Sequence, residues 1–243
     1  MDSKLLSARI NDLAFLCQKT NAPKFLGFLT SSETALATRQ LGKSEKYELF
    51  GGYDCAQRTM LCFKPDWCDK IEYPIQGLTF TYRERDHLTH RDFLGALMAL
   101  GINRETVGDI LVEDGRAVVF AHNDVVDFIT SQIDKIGNVG VTIQKGFCNP
   151  LPECGKKEQF TATVASNRLD CVIAAICGFS RKNANDYICD GLVSVNSICC
   201  EKTTHIINGG DILAIRHKGK FDIVSCDEFS KKGRIILKYN KYV

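Results

Sequence analysis

Arg168, Arg181 and Lys182 stand out for where they fall in the chain. Leu169, Val172, Ile173 and Ile176 recur at helical spacing, so the segment after Arg168 reads as an amphipathic helix. Asn167 can cap its start and Gly178 is placed to end it. Ser180 is then a natural N-cap for a second helix through Cys189. Gly191 ends that helix, and Leu192, Val193 and Val195 begin a strand. A helix start offers free N–H groups and a partial positive charge to an anion. Basic side chains placed there oppose the dipole, an arrangement that makes sense if an anion is expected. The chemistry implied is phosphate binding by two adjacent helix starts. The competing reading is structural, with Arg168 paired to Asp170 and with Arg181 and Lys182 merely solvated.

The order of residues around these helices carries a resemblance. Arg168-Leu169-Asp170, Gly178-Phe179-Ser180-Arg181, Ala184, Ile188, Gly191 and Val193-Ser194-Val195-Asn196 are followed by Gly210-Asp211-Ile212-Leu213 and Arg216-His217-Lys218-Gly219-Lys220-Phe221. This pattern resembles the S-four RNA-binding domain, or αL motif. The resemblance implies RNA contacts, expected at Arg168, Ser180, Arg181, Lys182 and Asn185, and further along at Asn196, Lys202, Arg216, Lys218 and Lys220.

Charge is distributed to match. The 243-residue chain has a net charge of only +2, but residues 161–243 hold 12 Lys and Arg against 8 Asp and Glu, whereas residues 1–160 hold 19 against 21. No apolar run approaches the ~20 residues of a membrane span. Met1-Asp2-Ser3-Lys4 lacks the apolar core of a signal peptide, so a cytoplasmic protein is expected. Twelve cysteines invite a zinc or disulfide reading. They are scattered, no Cys-x-x-Cys occurs, and they read as reduced filler behaving as small hydrophobes.

The length is that of two or three compact units, and the expected class is α+β. Residues 1–74 read as an N-terminal α+β domain. Its first helix has Leu5, Leu6, Ile10, Leu13, Phe15 and Leu16 as its apolar face, and Ser31 or Ser32 caps the second. Strands are expected at Tyr47–Phe50 and Arg58–Phe63, and Trp67 reads as a packing residue. Residues 75–147 read as β-α-β-β-α-β. The strands are Leu78–Tyr82, Asp109–Val112, Ala117–Phe120 and Val139–Ile143, and the helices start at Thr89 and Asp124. That is the ferredoxin-like plan shared with RNA-recognition domains. The third strand, Arg116-Ala-Val-Val-Phe, lacks most of the stacking aromatics such domains carry. Residues 148–160 read as a linker and 161–243 as the S-four domain.

Several residues take a plain reading. His87 and His90 lack a third metal ligand at helical spacing. Gly137-Asn-Val-Gly140 looks like the GXXG loop of KH domains but has no basic residue inside it, and a turn before a strand fits better. Arg83, Arg85, Arg91 and Arg104 read as solvated ion pairs among Glu84 and Asp86.

Thr89–Met98, Gly101–Arg104 and Val107–Ile110, together with Gly51-Gly52-Tyr53 and Arg58–Leu61, resemble the YlmH family of bacterial proteins. The resemblance implies a cytoplasmic, non-catalytic factor that binds ribosomal and transfer RNA, associates with the large ribosomal subunit and supports rescue of stalled translation. It carries a weaker link to cell division. No cofactor, metal, membrane or small-molecule substrate is expected, and no catalytic residue. The rival classes are an RNA-modifying enzyme of the pseudouridine synthase or methyltransferase type and an interaction scaffold. The sole Arg-Leu-Asp lies inside the binding helix, and no Gly-rich loop follows a strand in a doubly wound unit.

Overall fold

The computed structural model describes residues 3–42, 46–54, 56–152, 157–231 and 233–242. Chain contacts divide it at residues 154 and 155 into two units. Both are mixtures of helices and antiparallel sheet, in keeping with the α+β class.

The first unit opens with α1 (Ser3–Thr20), β1 (Lys24–Leu29), α2 (Ser31–Leu41), β2 (Tyr47–Phe50) and β3 (Thr59–Phe63). The strands form an antiparallel sheet in the order β1-β3-β2. Helix α1 buries Leu6, Ile10 and Cys17 against this sheet, whereas Leu5, Phe15 and Leu16 stay exposed. The apolar face expected from sequence was therefore too wide. Only residues near a strict 3.6 period reach the core. Thr30, rather than Ser31 or Ser32, caps α2, in a reciprocal capping box with Glu33. Trp67 is 62% exposed, its indole N–H donating to Asn21, so it is not a packing residue.

Next come β4 (Ile75–Thr81), α3 (His90–Ala99), β5 (Val107–Glu113), β6 (Arg116–His122), α4 (Asn123–Gln132), a short pair β7 (Lys135–Ile136) and β8 (Val139–Gly140), and β9 (Thr142–Lys145). The expected final strand is split: Val139–Gly140 pairs back on β7, and the main-sheet strand starts at Thr142. Strand order is β5-β6-β4-β9, all antiparallel. One face packs on α3 and α4 through Leu78, Phe80, Ala117, Val119 and Ala121. The other face is also buried. Leu111, Val118 and Phe120 meet Phe28 and Met60 of the first sheet. The uninterrupted apolar run Ala117–Ala121 follows from this, since a strand covered on both sides needs no alternation.

Asp109 ties the two sheets together. It is one of the two buried charged side chains among the described residues. Its carboxylate accepts from the Tyr53 hydroxyl at 2.8 Å, the Gln57 N–H at 2.6 Å and the Arg58 N–H at 3.2 Å. The Arg58 guanidinium donates to the carbonyls of Phe28, Arg104 and Val107. Arg104 is not a solvated ion-pair residue. It donates to Val107 O, and desolvation together with the nearby Arg58 charge holds its pKa down to about 10. Gly52 has φ +99° and lies so close to Phe120 that a Cβ would come within 2.5 Å of the ring. The residues behind the N-terminal part of the resemblance are thus structural.

The second unit contains β10 (Lys157–Val164), α5 (Leu169–Cys177), α6 (Arg181–Cys189), β11 (Val193–Val195), β12 (Ile198–Cys199), β13 (Ile212–Ile215), β14 (Gly219–Phe229) and β15 (Ile235–Tyr242). Its sheet runs β10-β15-β14-β13-β11-β12, antiparallel throughout. Leu169, Val172 and Ile173 of α5 and Ala184 and Ile188 of α6 pack on Leu213, Ile215, Phe221, Ile223 and Leu237 of the sheet. Strand β10 starts inside the segment read as linker, so the last unit gains an edge strand there. The described cysteines are free thiols, with Cys17, Cys62, Cys68 and Cys226 buried.

Replacing Asp109 by Ala removes the acceptor of three part-buried hydrogen bonds. Urea unfolding of that variant should show a loss of about 3 kcal/mol or more. A loss under ~1 kcal/mol, the value of an ordinary exposed contact, would contradict this role.

Candidate nucleic-acid interface

The two helix starts of the second unit are unlike each other. At α5 the N–H of Leu169 donates to His205 O at 2.8 Å, that of Asp170 to Thr203 O at 3.1 Å, and that of Cys171 to the Asp170 carboxylate at 2.9 Å. A loop distant in sequence has taken the groups an anion would use. Arg168, not Asn167, is the N-cap residue, and the Asn167 amide instead donates to Ile207 O. At α6, Ser180 is the N-cap as expected, and its hydroxyl accepts from the Asn183 N–H at 3.2 Å. The N–H groups of Arg181 and Lys182 have no partner among the described residues. Expecting both helix starts to be open to an anion was therefore wrong for α5.

Arg168 forms a two-pronged pair with Asp170, Nε to Oδ1 at 3.1 Å and Nη2 to Oδ2 at 2.9 Å. Burial opposes ionisation of Asp170. The bonds from Arg168 and the Cys171 N–H, with the Arg168 charge, outweigh it and hold the carboxyl below its ordinary range. Arg181 reaches back across the turn, Nη2 lying 3.3 Å from Cys171 Sγ. Arg168 and Arg181 thus converge on the first turn of α5. Gly178 ends α5 in the left-handed conformation at φ +66°, which makes the reversal between the helices tight enough for this. Lys202 joins the same side through its loop, whose Thr203 and His205 carbonyls cap α5.

The remaining expected residues divide. Lys182 is exposed on α6. The Asn185 amide oxygen is enclosed and has no hydrogen-bond partner among the described residues. Asn196, at φ +49°, donates to Asp211 and accepts from the Ile212 N–H, so its side chain is committed to the β11–β13 connection. Arg216 lies in the turn between β13 and β14, beside Gly191 and Cys199. Lys218 lies 5.0 Å from the centroid of the Phe179 ring, and Lys220 lies 5.1 Å from that of Tyr242. Those aromatic partners were missed from sequence. Phe179 lies 39 residues before Lys218 and Tyr242 lies 22 after Lys220, so no local pattern signals either pair.

In the first unit, Arg83 pairs with Asp86 at 2.7 Å, and His87 lies 3.3 Å from Asp114. Arg85 and Arg91 are exposed and have no ion pair among the described residues. No group of three or more His, Cys, Asp or Glu among the described residues is arranged to hold a metal ion. No described helix is long and apolar enough to cross a membrane.

Residues 69–149 match the family model described as "Putative RNA-binding domain in YlmH". A Bacillus subtilis (strain 168) relative named ribosome-associated protein quality control protein P2 is 29% identical over 224 residues, covering 90% of this chain and 87% of that one. Over residues 69–149 the chain is similar to the YlmH family. A solved structure, cell division protein ylmH from Streptococcus pneumoniae, is similar in fold, with TM-score 0.53 and 19% identity over 63% of this chain and 96% of that one. The YlmH-type match falls on the sheet whose two faces are both covered. The face that RNA-recognition domains use for stacking bases is here packed on Phe28 and Met60.

The Asp170 pair makes a pH prediction. A carboxyl whose folded pKa is depressed contributes stability that is present above its unfolded pKa and lost as pH falls through the folded value. Asp170→Asn should lower the melting midpoint at neutral pH and flatten the decline in acid. Melting curves from neutral pH into strong acid check this. An unchanged acid limb would contradict it.

Proposed function

We propose that this protein is a non-catalytic RNA-binding factor. It holds structured ribosomal or transfer RNA on the large ribosomal subunit in the cytoplasm and takes part in rescue of stalled translation. In this reading residues 157–243 are an S-four domain and residues 75–147 are ferredoxin-like, their strand order β5-β6-β4-β9 being that of the β-α-β-β-α-β plan. The observation that carries the reading is the start of α6. Two N–H groups without a partner among the described residues lie there with the exposed side chains of Arg181 and Lys182, and Arg181 reaches the turn that Arg168 pairs with, a constellation suited to an RNA phosphate. The name of the Bacillus subtilis relative supports the ribosomal setting, and the family match supports RNA as the ligand. Contacts from residues 69–149 would come from exposed loop and helix arginines such as Arg85 and Arg91, because the sheet offers little open aromatic surface.

The roles separate by measurement. Arg181→Gln and Lys182→Gln should weaken binding to a ribosomal RNA fragment with little change in melting temperature. Each should also lower the slope of log affinity against log salt by about 0.7 to 0.9. Arg168→Gln should weaken binding and lower the melting midpoint together, since it leaves Asp170 buried without its partner. Unchanged affinity and salt slope in the Arg181/Lys182 double variant would contradict the assignment.

A further inference from the structure

At the end of α5 remote from Arg168, a cavity of about 300 Å³ opens between Ile176 and Cys177 of that helix and strands β10, β14 and β15. Its wall is aromatic. Phe160 and Tyr239 are register partners on β10 and β15, with ring centroids 5.7 Å apart and planes inclined by 21°. Phe221 of β14 stands edge-on to Tyr239 at 6.1 Å. Tyr239 is buried, but Phe160, on the edge strand, is 39% exposed.

Lys218 and Lys241 complete the lining, and neither has an ion pair among the described residues. No acidic side chain among the described residues lines the cavity. Glu158 stands opposite Lys241 in the β10–β15 register without pairing to it. Burial pushes the Cys177 thiol up, against the charges of Lys218 and Lys241, so the thiol is a neutral wall rather than a nucleophile. The volume is at the lower end of the range for small-molecule sites. Flat π surface beside two cations suits a flat base carrying a phosphate, since base–aromatic stacking is tolerant of base identity and lysines track the backbone.

We infer that this cavity takes one unpaired nucleotide of the bound RNA, its base against the Phe160–Tyr239 surface and its phosphate between Lys218 and Lys241. Lys218 lies over Phe179, one residue before the Ser180 cap, so a strand leaving the α6 start has a short path to the cavity. The inference rests on the RNA reading above and assigns that RNA a single-stranded segment.

The test uses the full chain and three labelled probes: a short oligouridylate, the same backbone with abasic sites, and a ribosomal RNA stem-loop. The natural chain should prefer the base-bearing strand to the abasic one. Phe160→Leu keeps the strand apolar but removes the ring, and should cut that preference about fivefold or more while leaving stem-loop binding intact. Cys177→Met narrows the cavity without touching the rings and should do the same. Lys218→Gln and Lys241→Gln should weaken both single strands equally and lower the salt slope by about 0.7 each. If both cavity variants keep the natural preference for bases while melting normally, the nucleotide site is wrong and the RNA reading stands. If the natural chain binds none of the three probes, the RNA reading itself fails and the site with it.

Discussion

A buried carboxylate paired across a helix start governs the proposed interface. Asp170 is 3% exposed, yet it is held ionised by Arg168 and by the Cys171 N–H at the first turn of α5. A lone charge in that position would be expensive to bury, so the pair and the capping loop at Thr203–His205 have to form together. Two consequences follow. The α5 start is closed to external anions, and Arg168 is fixed where Arg181 of the next helix can approach the same turn. The α6 start, capped among the described residues by Ser180 alone, is left as the open end. Asp109 has a similar task in the first unit, where it gathers Tyr53, Gln57 and Arg58 and so fastens one sheet to the other.

That fastening explains why the sheet in residues 69–149 is a poor base-stacking platform. A four-stranded sheet with two helices on one side normally leaves its other face to solvent or ligand. Here Met60 and Phe28 fill that face, and Phe120 stacks on Tyr53 at 4.8 Å rather than on a base. The missing aromatics of the third strand are the sequence trace of this packing. An RNA-binding label on this region and a covered sheet are compatible if its contacts come from loops and helix surfaces.

Local signals were legible and distant ones were not. Ser180, the Asp-Gly hairpin turn between β5 and β6, and the helical spacing of Leu169, Val172 and Ile173 could be read because cap, turn and period act within a few residues. The α5 cap could not, because its acceptors come from a loop more than thirty residues onward. The run Ala117–Ala121 carried a readable sign of double burial in its lack of alternation, but the covering residues, Phe28 and Met60, are far away in sequence. Phe160 reads as linker because Pro150, Pro152, Gly155 and a Lys pair precede it, although Phe160, Ala162 and Val164 alternate with Thr161 and Thr163. Its partner Tyr239 lies at the other end of the unit, and only pairing of β10 with β15 brings them together.

Amide hydrogen exchange on the full chain, free and bound to a ribosomal RNA fragment, tests the central claim most directly. The N–H groups of Arg181 and Lys182 should gain protection when RNA binds, those of Leu169 and Asp170 should already be protected in the free protein, and the amides of β4, β5 and β6 should not change. New protection confined to the first unit, with the α6 start exchanging as freely as before, would contradict it.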